Sequence, residues 1–384
     1  MPRPAVSPEL IRRLHREAPL TDVHAHPSFP AFLYRRNLSR HYGSRGAFNP
    51  LASRTDLPML SRGGVGVVWS ALHVPECELF RDCWWLKLAT ALLVRRPGRL
   101  TTGSPFARLL EMLETVERQA ARWPARVGVA RSVADIERLR AAGRIAVVHT
   151  VEGAHVLEGR LERLDALAER GVAMLTLAHF YDNDIATPVD AVPKGLFIRR
   201  LCTFRFPTAG RPGRPPLTEL GRELLRRMAA LRIIPDVTHC SPEARREVYR
   251  AVGRDRPVVA SHVGVTALVP DPYNLSDEDL RGIAATGGAA GVILMPYWLS
   301  PDGAKEAVPA IWRTMEHVRE VTGSWDHVMV GSDFDGFSLP PRDVRDASRL
   351  GLVTRALLER GVAQADVKKV LGGNAMRILY DGWR

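Results

Sequence analysis

Short apolar runs rich in β-branched residues recur along the chain, and amphipathic stretches of helical period separate most of them. The runs are APLTDVHA (18–25), GVGVVWSAL (64–72), RIAVVHTVE (144–152), VAMLTLAHF (172–180), RIIPDVTHC (232–240), RPVVASHVG (256–264), AAGVILMPY (289–297) and HVMVGSDFDG (327–336). Between them lie LERLDALAERG, LTELGRELLRRMAALR, SPEARREVYRAVG and LSDEDLRGIAATGG. Several of these stretches end in glycine, as helices do at their C-caps, and Ser276 is an N-cap candidate with acidic residues behind it. Eight β/α units whose strands are almost continuously apolar predict a parallel sheet closed into a (β/α)₈ barrel. An open doubly wound sheet is the alternative, but no glycine-rich phosphate loop follows the first run. The expected domain is single, 1–384, with long βα loops at about 27–63, 73–143 and 181–216. The last is rich in Pro, Gly and Arg and has the make-up of a lid.

In such a barrel, chemistry gathers at the C-terminal ends of the strands. Read in order, the polar residues there are His24 and His26, then Glu152, His179, His239, His262 and Asp333. Taken singly, a strand-end histidine reads more simply as a satisfied core or loop residue. Six of eight runs ending in ligand or acid/base groups on one face do not. The pattern points to a metal site.

Composition narrows this further. At 384 residues, with 46% hydrophobic and 25% charged, the chain is that of a globular protein. It has no run of the roughly 18–20 apolar residues that span a bilayer, and its first 20 residues lack a secretory h-region, so no membrane association and a cytoplasmic location are expected. The net charge of +12 comes from arginines scattered along helical faces without interleaved aromatics, which argues against a nucleic-acid surface. Cys77, Cys83, Cys202 and Cys240 form no metal-binding spacing and are expected as free thiols, with a Cys77–Cys83 bridge the open alternative.

Imidazole and carboxylate ligands without clustered thiolates suit zinc or a similar divalent ion in hydrolysis. His24 and His26, two apart on a strand, face the same way and can grip one ion; His239 and His262 can hold a second. Glu152 has two oxygens with which to bridge the pair, and a water bridging two cations supplies hydroxide near neutral pH. Asp333 is then the acid/base that moves the proton, and His179 can donate to an oxyanion. Tyr297 reads equally as a pocket wall or a packed aromatic. His149, His155 and Asp335 read as structural, and the tryptophans of RDCWWLKL as a core or dimer-interface helix.

TDVHAHPS, TVEGAHVL, LTLAHFYDND, PDVTHCS, VVASHVG, NLSDEDLRGIAATGG, GSDFDG and LGGNAMRIL, in this order, resemble the membrane (renal) dipeptidase family, peptidase family M19 of the amidohydrolase superfamily. The resemblance runs from about residue 20 to 380. It implies a (β/α)₈ barrel, a binuclear zinc site, hydrolysis of dipeptides and often a homodimer. It also implies His24 and His26 as first-metal ligands, Glu152 as the bridge, and His239 and His262 as second-metal ligands. His179 falls at the residue that contacts substrate, and Asp333 at the acid/base. Two departures stand out. His24-x-His26 replaces the family's His-x-Asp, which keeps two ligands and removes one negative charge. Tyr273 stands where the family carries an arginine for the dipeptide's carboxylate. A tyrosine cannot form that bidentate pair, and losing it costs on the order of 2–5 kcal/mol of binding. The expected substrate is therefore a small peptide or amide, with an acyl-amino acid, lactam, lactone or modified peptide as the alternative. Arg199, Arg200 or Arg205 in the long loop could stand in for the arginine. A non-catalytic binding or scaffold barrel is the remaining reading, and it would be expected to lack a ligand or Asp333.

Overall fold

A computed structural model describes residues 6–43, 52–94, 103–196, 198–206, 214–303, 307–336 and 339–383. The eight apolar runs supply the eight parallel strands of a closed barrel: β1 (Leu20–Ala25), β2 (Val65–His73), β4 (Ile145–Glu152), β5 (Met174–Thr176), β6 (Ile234–Asp236), β7 (Val259–Val263), β8 (Ala289–Val292) and β9 (Val328–Val330). Closure comes from β1, which pairs with both β2 and β9, and from β2 pairing with β4. A ninth strand, β3 (Val127–Ala130), was not anticipated. It pairs with the first half of β4 on the edge opposite β2, and β5 takes the second half of that edge. Four residues of small and β-branched type leave too short a pattern to stand out in a sequence.

Alternate strand residues face opposite ways and build two cores. Val23, Val67, Trp69, Val148, Met174 and Val259 share one cluster with Ile378, Leu379 and Trp383, so the C-terminal segment closes the barrel's lower end. Leu20, Val68, Leu72, Val151 and Leu175 pack outward against the helices. The helix Asp277–Ala285 starts as expected: Ser276 Oγ accepts from Asp279 N at 3.1 Å, and Asp279 Oδ2 accepts from Ser276 N at 3.0 Å.

Several strands stop earlier than the runs do. β5, β6 and β9 have three residues each, so His179, His239 and Asp333 lie on irregular backbone beyond them. His239 and Asp333 have φ of 66° and 58°, which no strand accommodates.

The expected loop 73–143 is largely helical, with helices at Cys77–Asp82, Trp84–Leu93, Pro105–Ala121 and Val133–Ala141 besides β3. Trp84, Trp85, Leu88 and Leu92 are between 41% and 76% exposed, so the tryptophan helix is not core. The thiol expectation is also corrected. Cys83 and Cys202 form a disulfide, which joins the 73–143 segment to the 181–216 loop; Cys77 is free and exposed, and Cys240 free and buried. The partners lie 119 residues apart, a pairing that only the fold brings together. The same loop is tied down by Asp82, whose Oδ2 accepts from Tyr181 Oη and Arg205 N, both at 3.0 Å. Residues 44–51, 95–102, 197 and 207–213 of the three expected loops lie outside the described residues.

Candidate active site

The residues singled out at the strand ends lie together in space. His24 ends β1 with His26 just beyond, Glu152 ends β4, and His262 lies in β7. Glu152 is the hub. Its Oε1 is 3.3 Å from His239 Nε2, 3.4 Å from His262 Nε2 and 3.5 Å from His24 Nε2, and its Oε2 is 3.5 Å from His26 Nε2. The imidazoles also meet in pairs, His24 with His26 and His239 with His262, each Nε2 to Nε2 at 3.2 Å. Asp333 Oδ1 stands 3.2 Å from His26 Nε2. All five residues other than Asp333 are at most 4% exposed.

Such proximity needs close backbone. Gly153, directly after Glu152, has φ of 96°, and a Cβ there would meet His155 Nδ1 at 2.5 Å. A Cβ on Gly336 would meet Asp333 Oδ1 at 2.1 Å and His26 Cδ2 at 2.8 Å. Only glycine fits between those two groups.

Beneath the histidines runs a buried polar layer that sequence reasoning missed. Asp236 Oδ2 accepts from Ser261 Oγ at 2.6 Å and from Thr176 Oγ1 at 2.7 Å, and its Oδ1 accepts from Ser261 N and Thr238. Having given its proton to Asp236, Ser261 Oγ is left to accept from the Nδ1–H groups of His24 (3.1 Å) and His262 (2.9 Å). That fixes both rings with the proton on Nδ1 and a lone pair on Nε2. Asp22 plays a matching part on the other side, accepting from Ser332 N and Oγ and from His24 N. The signal was an aspartate inside an otherwise apolar run, as DVH and DVTH each show.

Lone pairs of paired imidazoles aimed at one another across 3.2 Å, around a carboxylate, repel unless a cation lies between them. Two triads have ligand atoms close enough for one ion each: His24, His26 and Glu152, and Glu152, His239 and His262. The donor set therefore fits divalent ions. Electrostatics agree. Burial pulls His262 well below the usual histidine range with His24 adding to it, and burial with His179 lowers His239, so both present neutral nitrogens. Burial alone would raise Glu152, but His24 and His179 hold it well below the carboxylate range. Asp22 is pushed up to about 6 by burial.

His179 faces the same space, with Nε2 3.8 Å from Glu152 Oε1. Tyr273 does not offer the donor its sequence position suggests. It is 1% exposed, its hydroxyl donates to His262 O at 2.7 Å, and its ring stacks on Trp298. It buttresses His262 from behind. Of the loop arginines, Arg199 is engaged with Asp190 and the Val192 carbonyl, while Arg200 and Arg205 are exposed. Tyr297 is half-buried against Gly195 and Gly303 on the loop side. Asp335 accepts from Arg54 N and Thr55 Oγ1, and His155 Nε2 bonds the Val74 carbonyl; both act as structural ties. His73 and Glu76 were also missed. The second run was ended at Leu72, one residue before β2 delivers His73 beside Glu152.

Comparison with known proteins agrees with this geometry. The sequence model of the membrane dipeptidase family (peptidase family M19) matches residues 9–381. The dipeptidase ataJ of Aspergillus terreus is 27% identical over 392 residues, 97% of this chain and 87% of that one. An uncharacterised Klebsiella pneumoniae protein from the pqqA 5′ region is 31% identical over 285 residues, 73% of this chain and 98% of its own. Among solved structures, a metallopeptidase of Rhodobacter sphaeroides liganded with a phosphinate mimic of the dipeptide L-Ala-D-Ala superposes with a TM-score of 0.75. It is 22% identical and covers 95% of this chain and 99% of its own. The probable dipeptidase PvdM of Pseudomonas aeruginosa reaches 0.74 at 21% identity, covering 98% and 99%.

Proposed function

The chain belongs to the membrane dipeptidase family, peptidase family M19, and is a metallohydrolase of dipeptidase type; on that footing we propose that it cleaves a small peptide or amide bond with two divalent ions. His24, His26 and Glu152 would hold one, and Glu152, His239 and His262 the other. Bound there, zinc or a similar ion would supply Lewis acidity and acidify a water. The supporting observation is the convergence of four imidazole Nε2 atoms on the two oxygens of Glu152.

The remaining steps belong to side chains. Asp333 Oδ1 borders this floor and takes the proton from the attacking water, then delivers it to the leaving amine. His179 Nε2 donates to the carbonyl oxygen as negative charge develops on it. Burial excludes bulk water from both transfers and strengthens each electrostatic contact.

A second substrate reading rests on Tyr273. With its hydroxyl committed to the His262 carbonyl, it gives a free carboxylate no partner, which favours an acyl-amino acid, a cyclic amide or another modified peptide. A hydrolysis screen of dipeptides against N-acyl amino acids, lactams and lactones decides between them. Turnover confined to dipeptides removes the second reading, and no turnover with any amide removes both.

A homodimer is also proposed, with the exposed apolar face of Trp84, Trp85, Leu88 and Leu92 as its candidate contact; light scattering of the purified chain tests it. Among the described residues no helix is long and apolar enough to cross a membrane. A cytoplasmic location keeps less support than expected, because the Cys83–Cys202 bridge suits an oxidising compartment.

A further inference from the structure

His73, Glu76 and His179 form a second buried cluster beside the first, none more than 6% exposed, with no role so far assigned to the first two. Glu76 follows β2 and belongs to a different segment of the chain from His179, 103 residues away. Its Oε1 accepts from His179 Nδ1 at 2.9 Å and from the Phe180 backbone N–H at 3.0 Å, and its Oε2 is 3.2 Å from the same Nδ1. One carboxylate therefore holds both the ring and the backbone that carries it. His73 packs on the other side, its ring centroid 4.0 Å from that of His179. His73 Nδ1 bonds the Glu152 carbonyl oxygen at 3.3 Å, and its Nε2 is 3.8 Å from Glu76 Oε2.

We propose that Glu76 is the positioning residue of His179: it fixes the proton on Nδ1 and the angle of the ring, so that Nε2 is aimed over Glu152 where the reacting carbonyl binds. His73 forms the wall that keeps the ring from turning away. An imidazole has two nitrogens and can flip about its Cβ–Cγ bond, so a donor role at Nε2 needs a fixed partner at Nδ1. The trio is also compact enough to suggest a third ion. That reading is disfavoured because Glu76 Oε1 already accepts two hydrogen bonds, one of them from the very nitrogen a cation would need.

The inference rests on the hydrolase reading for its kinetic arm and is independent of it for its spectroscopic arm. In kinetics with whichever amide the parent turns over, Glu76→Ala should lower kcat about 10–100-fold, the usual range for an orienting partner, with KM and metal content unchanged. Glu76→Gln, whose amide oxygen can still accept both bonds, should recover most of that loss. In a His179→Ala background, Glu76→Ala should cost less than about twofold more, because its effect runs through the missing ring. In the metal-free protein, nitrogen-15 NMR should show His179 protonated at Nδ1 in the parent and in Glu76→Gln, and a tautomer mixture in Glu76→Ala. Independent losses in the double variant, an unchanged His179 spectrum in Glu76→Ala, or three ions in the parent and two in Glu76→Gln would overturn the proposal. If the parent cleaves no amide, the hydrolase reading fails while the NMR comparison still decides this one.

Discussion

On the floor of the barrel mouth, His24 and His262 share one acceptor, Ser261 Oγ, which hangs in turn from Asp236. On the rim, the 181–216 loop is held by one covalent bridge to Cys83 and by contacts to the single carboxylate of Asp82. Floor residues sit on strands whose pairing fixes them, and every tie is buried. Rim residues such as Arg200 and Arg205 are exposed and hold their place through a few local contacts. The contrast separates two kinds of information. Reaction type is written into the floor, where a displaced nitrogen would break several contacts at once, and substrate choice is written into the rim, which can vary without disturbing the floor.

The two regions should therefore respond differently to damage. The largest effect is expected at the floor's exposed edge: Asp333→Asn should lower kcat about 10²–10⁴-fold while metal content stays at the parent value, as measured by elemental analysis beside steady-state kinetics. An unchanged rate would move the proton transfer elsewhere. Cutting the rim by Cys83→Ser with Cys202→Ser should cost about 2–4 kcal/mol of local stability. Limited proteolysis would register it as faster cleavage within 181–206, with the bound metal retained; a loss of metal would show that floor and rim are not separable. Ser261→Ala removes the shared acceptor and should weaken metal binding about 10–100-fold, read by competition with a chelator.

The smallest effect concerns acid. His149 is buried with no hydrogen-bond partner for either nitrogen among the described residues, and burial lowers its pKa to about 4. Its folded pKa lies below the unfolded value, so its neutral form is favoured and its protonation opposes folding. The stability this gives is full above about pH 6.5 and is lost as pH falls towards 4, about 1 kcal/mol by pH 5.5. Asp335, pushed up to about 6 by burial, works in the opposite direction, so the parent's profile alone does not isolate His149. Denaturant titrations at pH 7 and 5.5 should find His149→Phe losing less stability than the parent; equal losses would remove the assignment.

The barrel was legible because eight apolar runs alternate with helical pattern, and the cluster because His24, Glu152, His262 and their partners fall where those runs end. What escaped did so for identifiable reasons. β3 is four residues long and carries no polar end. Ending the second run at Leu72 hid His73 and, with it, Glu76. Asp22 and Asp236 stood inside runs that were read only for their ends. Cys83 and Cys202 are joined by folding across 119 residues, beyond the reach of any local spacing. Tyr273 was located as the anomaly, but the direction of its hydroxyl depends on the loop that turns it back to the His262 carbonyl.

The central claim is that five buried side chains on the floor hold two ions. Elemental analysis of the purified chain, repeated after chelation and after stepwise return of zinc, measures this directly. The account predicts close to two divalent ions per chain, activity lost with them, and recovery that saturates at the second equivalent. Full amide hydrolysis by a metal-free chain would contradict it.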